Sequence, residues 1–424
     1  MKHVGENIKR IRTEKKMTIS DLANEHVSRG MISLIENGKT RPSIERLHHI
    51  AVQLNVEIAE LVEKISKEVL RRKITEAIEL FNNDEVAAVI TLLKPVLTKM
   101  GKSYEAARVY ELYAKALYYS YVHSNVEYLK TEDENWELYA NKAIVLYMDL
   151  QMEWRVVRVW AFLAKIEYEH ANYRETIQIL DKGIDKLIIE DSLETKAIYI
   201  ELLTGKVWSY TAQDDMNVAH ELLDTAIEFS RKSLILTDYY GLLNIKTWLL
   251  YDTHHYEEAR KYVAEARSFI NLMQDEYLFI EHELAKVLFE EFFENKFEHA
   301  IEMADECERY LISKSSLNEA EKESLLVFAR DLKARSITRL GRYEEALDLF
   351  NSNIIEVNEF MEMSPLDVAI REITKSYKAI CFFQLGDVLK ARKLAGYAVE
   401  KLRGMPYSSY FQFAREVLAY VSKD

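Results

Sequence analysis

The sequence has little of what interrupts helices. Four prolines and 11 glycines in 424 residues are too few for an all-β chain, whose turns consume both. Only two cysteines are present, Cys307 and Cys381. Each stands alone in an amphipathic pattern, which excludes a disulfide framework and a Cys-x-x-Cys motif and suits small buried hydrophobes in a reducing compartment. No apolar run approaches the roughly 20 residues that cross a bilayer. The opening Met1-Lys2-His3-Val4-Gly5-Glu6-Asn7 has no apolar segment of a secretory signal. The expectation is a cytoplasmic, all-α protein without membrane association. Its content of 49% hydrophobic and 30% charged residues is enough for a large core.

Catalytic patterns are also missing. His220-Glu221 and His282-Glu283 lack the second histidine of a metalloprotease helix, and Leu203-Thr204-Gly205-Lys206 lacks the upstream glycine of a phosphate loop. The adjacent pairs His48-His49 and His254-His255 face different sides of any helix and do not suit one metal. We therefore expect no enzyme, no metal and no cofactor.

Charge is distributed unevenly. The net charge is −14, yet residues 1–56 hold 10 Lys+Arg against 6 acids, leaving −18 for the rest. A small basic head on a large acidic body is the pattern of a nucleic-acid-binding module joined to something that does not bind nucleic acid.

The head reads as short helices with marked ends. Val4, Ile8 and Ile11 form one apolar stripe at i, i+4, i+7. Thr18-Ile19-Ser20-Asp21 is a capping-box start for a second helix. Ser28 caps a third over Arg29–Glu36, stopped by Asn37-Gly38 because glycine accepts the left-handed conformation after a helix end. Pro42-Ser43 opens a fourth with Ile44, Leu47, Ile50, Ala51 and Leu54. The expected divisions are a head at 1–57, a helical linker at 58–72 and a body at 73–424. The linker's stripe Ile58, Leu61, Val62, Ile65, Val69 can pack on the body or pair with a second copy.

The run Met17-Thr18, Asp21-Leu22-Ala23, Val27-Ser28-Arg29, Ile32-Ser33, Ile35-Glu36-Asn37-Gly38-Lys39, Arg41-Pro42-Ser43 resembles the helix-turn-helix of phage repressors and Cro over about 55 residues. The turn Glu25-His26-Val27 is one residue shorter than usual and has no glycine, as in peptide-regulated regulators of the PlcR and NprR type. The resemblance implies a third helix in the major groove. Arg29, Gly30, Ser33 and Leu34 would then face the bases. Arg29 could make a bidentate contact to guanine. Asn37, Lys39 and Arg41, just past the helix, would hold phosphates, which position rather than specify, and Thr18 and Ser28 complete the expected DNA-binding set.

The body repeats. A polar or glycine turn, an aromatic or aliphatic residue and then a small residue recur at positions 88, 176, 219, 259, 300, 346 and 391, with gaps of 88, 43, 40, 41, 46 and 45. The first gap holds two periods, with a degenerate unit at Trp136-Glu137-Leu138-Tyr139-Ala140. Helix pairs repeated about every 40 residues resemble a stretched tetratricopeptide repeat (TPR), which implies a right-handed superhelix with a concave inner surface. Counting back from each small residue places Arg158, Lys165, Tyr168, Glu201, Thr204, Trp208, Asn244, Trp248, Asp252, His282, Asp331, Arg335 and Arg339 on that surface. Amides, aromatics and charges in this mixture suit an extended peptide.

Head and body together resemble the RRNPP family of peptide-sensing regulators, its NprR branch above all. That resemblance implies a homodimer binding operator DNA, switched by a short signalling peptide in the TPR groove. The other open reading is a TPR scaffold that sequesters a protein partner, such as a phosphorelay protein, with DNA binding secondary.

Overall fold

The computed structural model describes residues 2–62, 65–83, 85–124, 135–190, 192–236, 238–352 and 365–423. Every regular element among them is helical. The chain divides into two compact units, Met1–Val159 and Trp160–Asp424.

The first unit begins with α1 (Lys2–Glu14), α2 (Ile19–Leu22), α3 (Arg29–Glu36), α4 (Ile44–Leu54) and α5 (Ile58–Val62). The caps expected from sequence form. The Thr18 hydroxyl accepts from the Asp21 N–H, and the Asp21 carboxylate accepts from the Thr18 N–H at 2.7 Å. Ser28 and Ser43 cap α3 and α4, and Gly38, at φ +70°, ends the turn after α3. Ile8, Ile11, Leu22, Val27, Ile32, Ile35, Ile50, Leu54 and Leu61 make one buried core.

Two close contacts set the angle of α1 on α3. Gly5 passes so near the end of α3 that a Cβ there would lie 2.0 Å from the Ile35 carbonyl oxygen; only glycine permits that approach. Arg12 donates to both Glu36 carboxylate oxygens, at 2.7 and 3.0 Å, and to the Met17 carbonyl at 2.8 Å. The short turn before α3 closes through Asn24, whose Oδ1 accepts from the N–H groups of His26 and Val27, both at 2.9 Å. No residue from 23 to 28 has a positive φ, so the turn has no use for a glycine.

The described residues of 58–72 hold two helices rather than one continuous segment, with residues 65 and 66 outside helical geometry. Helix α5 packs its Leu61 into the head core. The Ser66 hydroxyl then accepts from the Val69 N–H and starts α6 (Lys67–Asn82); a serine here binds the backbone better as a cap than as a helix interior residue. Next come α7 (Val86–Leu93), α8 (Tyr104–Ser124), α9 (Trp136–Asp149) and α10 (Glu153–Glu169). Helices α8 and α9 pair closely over a fully buried Ala140, the degenerate unit of the sequence pattern.

The second unit continues with α11 (Tyr173–Lys186), α12 (Leu193–Thr211), α13 (Met216–Ser233), α14 (Tyr239–Asp252), α15 (Tyr256–Met273), α16 (Glu276–Phe292) and α17 (Phe297–Ser313). It ends with α18 (Glu319–Arg339), α19 (Tyr343–Ser352), α20 (Pro365–Glu372), α21 (Thr374–Gln384), α22 (Val388–Lys401) and α23 (Ser409–Val421). Consecutive helices pair as α12 with α13, α14 with α15, α16 with α17, α18 with α19, and α21 with α22. This is the helix-pair repeat, and its turn has one rule. Five residues before each small position of this unit the backbone enters the left-handed region, at Ala171, Asp214, His254, Asn295, Gly341 and Gly386; position 88 in the first unit departs from this, since Asn83 has φ −92° and Ala88 is only half-buried. The small residues Thr176, Ala219, Ala259, Ala300, Ala346 and Ala391 are all buried. A left-handed residue reverses the chain, and the small one lets the paired helices close on each other.

Candidate nucleic-acid interface and first-helix site

In the head, the residues expected to meet DNA are all at the surface. Thr18, Ser28, Arg29, Gly30, Leu34, Asn37, Lys39 and Arg41 are exposed and Ser33 is half-buried. All but Thr18, which caps the start of α2, lie on α3 or in the turns at its two ends. Gly30 has nothing within 4 Å of a would-be Cβ, in contrast to Gly5, so that stretch of α3 is open. Lys39 and Arg41 carry no ion pair among the described residues. Arg29 lies near Asp21, whose carboxyl is held below its usual range mainly by the Thr18 backbone and side-chain hydrogen bonds and in part by Arg29. Thr18 and Ser28 spend their hydroxyls as caps, and the Asn37 amide donates to the Ser33 carbonyl at 2.8 Å.

In the body, the thirteen residues expected on an open groove separate into two groups. Arg158, Glu201 and Arg339 are exposed; Lys165, Tyr168, Thr204, Asn244, Asp252 and Asp331 are half-buried. Trp208, Trp248, His282 and Arg335 are buried, at 6%, 0%, 2% and 0% exposure. These four line no open surface in this conformation, because the first helices carry them inward against one another. The two indole rings lie 6.1 Å apart. Arg335 donates to Asp331 at 2.7 Å and to the Thr374 hydroxyl at 2.9 Å. The Thr204 hydroxyl turns back to the Ile200 carbonyl at 2.9 Å.

This interior is rich in polar atoms without partners. Among the described residues, Trp248 Nε1, both ring nitrogens of His282, Arg335 Nη1, Glu291 Oε2 and the Tyr410 hydroxyl make no hydrogen bond. Burial pulls the His282 pKa down to about 4, so the ring is neutral and offers one donor and one acceptor. Burial also pushes the Glu291 carboxyl up to about 7, against the opposing pull of Arg335 and the hydrogen bond from Tyr377. Native interiors hold few such orphaned groups; gathered on the first helices of successive pairs, they could meet the N–H and C=O groups of an entering backbone. Counting back from small residues does not reach Glu291, Tyr377 or Tyr410. The last lies on α23, which no small-residue turn follows, so the repeat pattern carries no signal for it.

Residues 8–61 match the helix-turn-helix family model, so the head is a helix-turn-helix domain in pattern as well as geometry. No curated protein sequence matches the chain significantly. Among solved structures, the chain is similar to Bacillus thuringiensis PlcR, crystallised with the peptide PapR7 and DNA. The identity is 18%, the match covers 65% of this chain and 96% of that one, and the TM-score is 0.36. A Rap protein complexed with competence and sporulation factor matches at 13% identity over 84% of this chain and 98% of that one, with a TM-score of 0.45. ComR from S. thermophilus, solved with DNA and its signalling peptide ComS, matches at 16% identity over 67% and 99%, with a TM-score of 0.36. These likenesses concern fold alone.

Proposed function

We propose that the chain is a cytoplasmic transcription regulator that binds operator DNA through α3, as a homodimer, and is switched by a short peptide taken up on the first-helix face of the body. The observation that carries the DNA half is the exposed outer side of α3, with Arg29 at its start and Lys39 and Arg41 just beyond its end. A guanidinium at the head of a groove-sized helix, flanked by unpaired cations, suits base readout with phosphate clamping. The peptide half is supported by the unpartnered buried polar atoms and aromatic rings of α14, α16 and α18.

Selection of a binding site from random duplexes, followed by two variants, tests the first half. Arg29→Ala should lose preference for the selected site by roughly 1–3 kcal/mol. Lys39→Ala should weaken selected and random duplexes alike and lower the salt slope by about 1. If both variants bind the selected site as the parent does, the DNA reading fails and the scaffold reading takes its place. The second half is tested by thermal unfolding with pools of short synthetic peptides, since a ligand raises the stability of the state it binds.

A further inference from the structure

The first-helix face of the second unit is covered by a part of the chain that departs from the repeat. Between α22 and α23 the backbone leaves helical geometry over residues 402–408, a stretch that includes Gly404 and one of the chain's four prolines, Pro406. Leu402, Met405 and Ser408 are nevertheless buried.

Residues 403–413, the last five of which begin α23, reach across several first helices. The Gly404 carbonyl accepts from the Tyr168 hydroxyl at 2.7 Å. The Ser409 N–H donates to Asp252 Oδ1 at 2.8 Å. The Tyr410 ring lies parallel to Trp248 with centroids 6.3 Å apart, and 4.4 Å from Phe292. The Phe413 ring sits 5.0 Å from Tyr377, with the Arg339 guanidinium 5.6 Å from its centre. Tyr168, Trp248, Asp252 and Arg339 are four of the residues that sequence spacing assigned to a peptide groove. They come from three different helices, α10, α14 and α18, and what joins them is one short segment of the same chain, through one backbone carbonyl, one backbone N–H and two aromatic rings. The seat is imperfect, because Trp248 Nε1 and the Tyr410 hydroxyl remain unpartnered inside it.

We propose that residues 403–413 are the resident occupant of the peptide site, and that an incoming peptide enters by displacing them and reusing their contacts. This rests on the reading that this face takes a peptide, and it adds the chemistry of that peptide. The ligand carries an aromatic side chain for the space between Trp248 and Phe292, with a backbone N–H just before it for Asp252. Peptide affinity is then lowered by the competition of a tethered segment, as for any site whose open state is a minor population.

The test uses the full chain and a fluorescently labelled synthetic peptide with the sequence of residues 403–413. Ser409→Pro removes the N–H that Asp252 accepts. Position 409 is the first residue of α23, where proline is well tolerated, and Ser408 already has the extended backbone that a following proline requires, at φ −70° and ψ 150°. Loss of one hydrogen bond to a charged group should open the site, so Ser409→Pro should bind the probe roughly tenfold more tightly than the parent. Asp252→Ala in that background should undo the gain. Equal affinity in parent and Ser409→Pro, with unchanged melting, would overturn the proposal. Should Ser409→Pro fail to fold, amide hydrogen exchange of residues 403–413 in the parent decides. Added probe deprotects them if the proposal holds, and leaves them protected if it does not. A chain whose DNA binding answers to a peptide while 403–413 stay protected keeps the proposed function and loses this inference; one that takes the probe while no peptide alters DNA binding does the reverse.

Discussion

Gly5 and Gly30 lie in the same helix-turn-helix domain, and replacing each by alanine should have opposite consequences. At Gly5 the new methyl carbon would meet the Ile35 carbonyl oxygen at 2.0 Å, the Ile35 carbonyl carbon at 2.9 Å and the Glu36 oxygen at 3.0 Å. All three are backbone atoms, which cannot rotate aside as a side chain can, so α1 has to move off α3. Overpacking of a core costs about 1–3 kcal/mol, and a backbone clash belongs at the top of that range. Better helix propensity returns about 1 kcal/mol. The net loss is about 2 kcal/mol, a roughly 30-fold fall in the protection of amides in α1, α3 and α4 against hydrogen exchange. At Gly30 the methyl meets nothing within 4 Å and the backbone is helical, so propensity alone acts and stability rises by up to about 1 kcal/mol. The cost there falls on DNA affinity, since the methyl occupies the open side of α3. Hydrogen exchange and duplex binding, measured on both variants, check this. Unchanged protection in Gly5→Ala, or a less stable head in Gly30→Ala, would refute the account of α1 packing on α3.

Three further outcomes follow from buried charges and caps. Arg12→Ala strands the nearly buried Glu36 carboxylate and should destabilise the head by about 3 kcal/mol, seen as lost duplex binding at a lower denaturant concentration; Arg12→Met with Glu36→Leu should recover most of it, and failure to recover would mean the pair does more than neutralise itself. Glu291 is pushed up to about 7 by burial, so the folded chain holds its proton longer than the unfolded one, and stability should fall as pH rises from about 4.5 through 7, by up to about 3 kcal/mol. Glu291→Gln should therefore gain on the parent at pH 8 relative to pH 5 in denaturant unfolding; an equal difference at both values would show that the carboxyl is already ionised at pH 5. Asn24→Ala removes both hydrogen bonds that close the turn before α3, and should cost about 1–2 kcal/mol, measured as the stability of the head and loss of duplex binding; no change would place the closure elsewhere.

What could be read from sequence was what short-range physics sets. Thr18, Ser28, Ser43 and Gly38 are caps and stops because a side chain or a left-handed residue acts on backbone groups within three or four positions, and such contacts do not depend on the rest of the fold. The period of 40 to 46 residues in the second unit was legible for a similar reason: each turn there has its own left-handed residue and its own small residue five positions later. The helix broken at Ser66 was not legible, because the apolar spacing of 58–72 runs through it unchanged and the choice between cap and helix interior depends on what α5 packs against. Nor was the role of Asn24, since the shortened turn could be recognised while its means of closure could not.

The candidate site shows the same division. Spacing placed Tyr168, Trp248, Asp252 and Arg339 on first helices, and the structure brings all four to one segment; spacing also placed Trp208, Trp248, His282 and Arg335 on open surface, and the structure buries all four. Counting along helices specifies which side of its own pair a residue takes, but not what covers that side. Here the cover comes from far away in the chain, 157 residues on for Asp252 and 236 for Tyr168. By itself the sequence determined an all-α chain, a basic helix-turn-helix head and the beat of the helix pairs, because these rest on contacts between near neighbours. Only the tertiary structure decided that Gly5 is a packing residue and Gly30 is not, which groove residues are interior, and that residues 403–413 lie over them, because each depends on elements that the chain brings together only by folding.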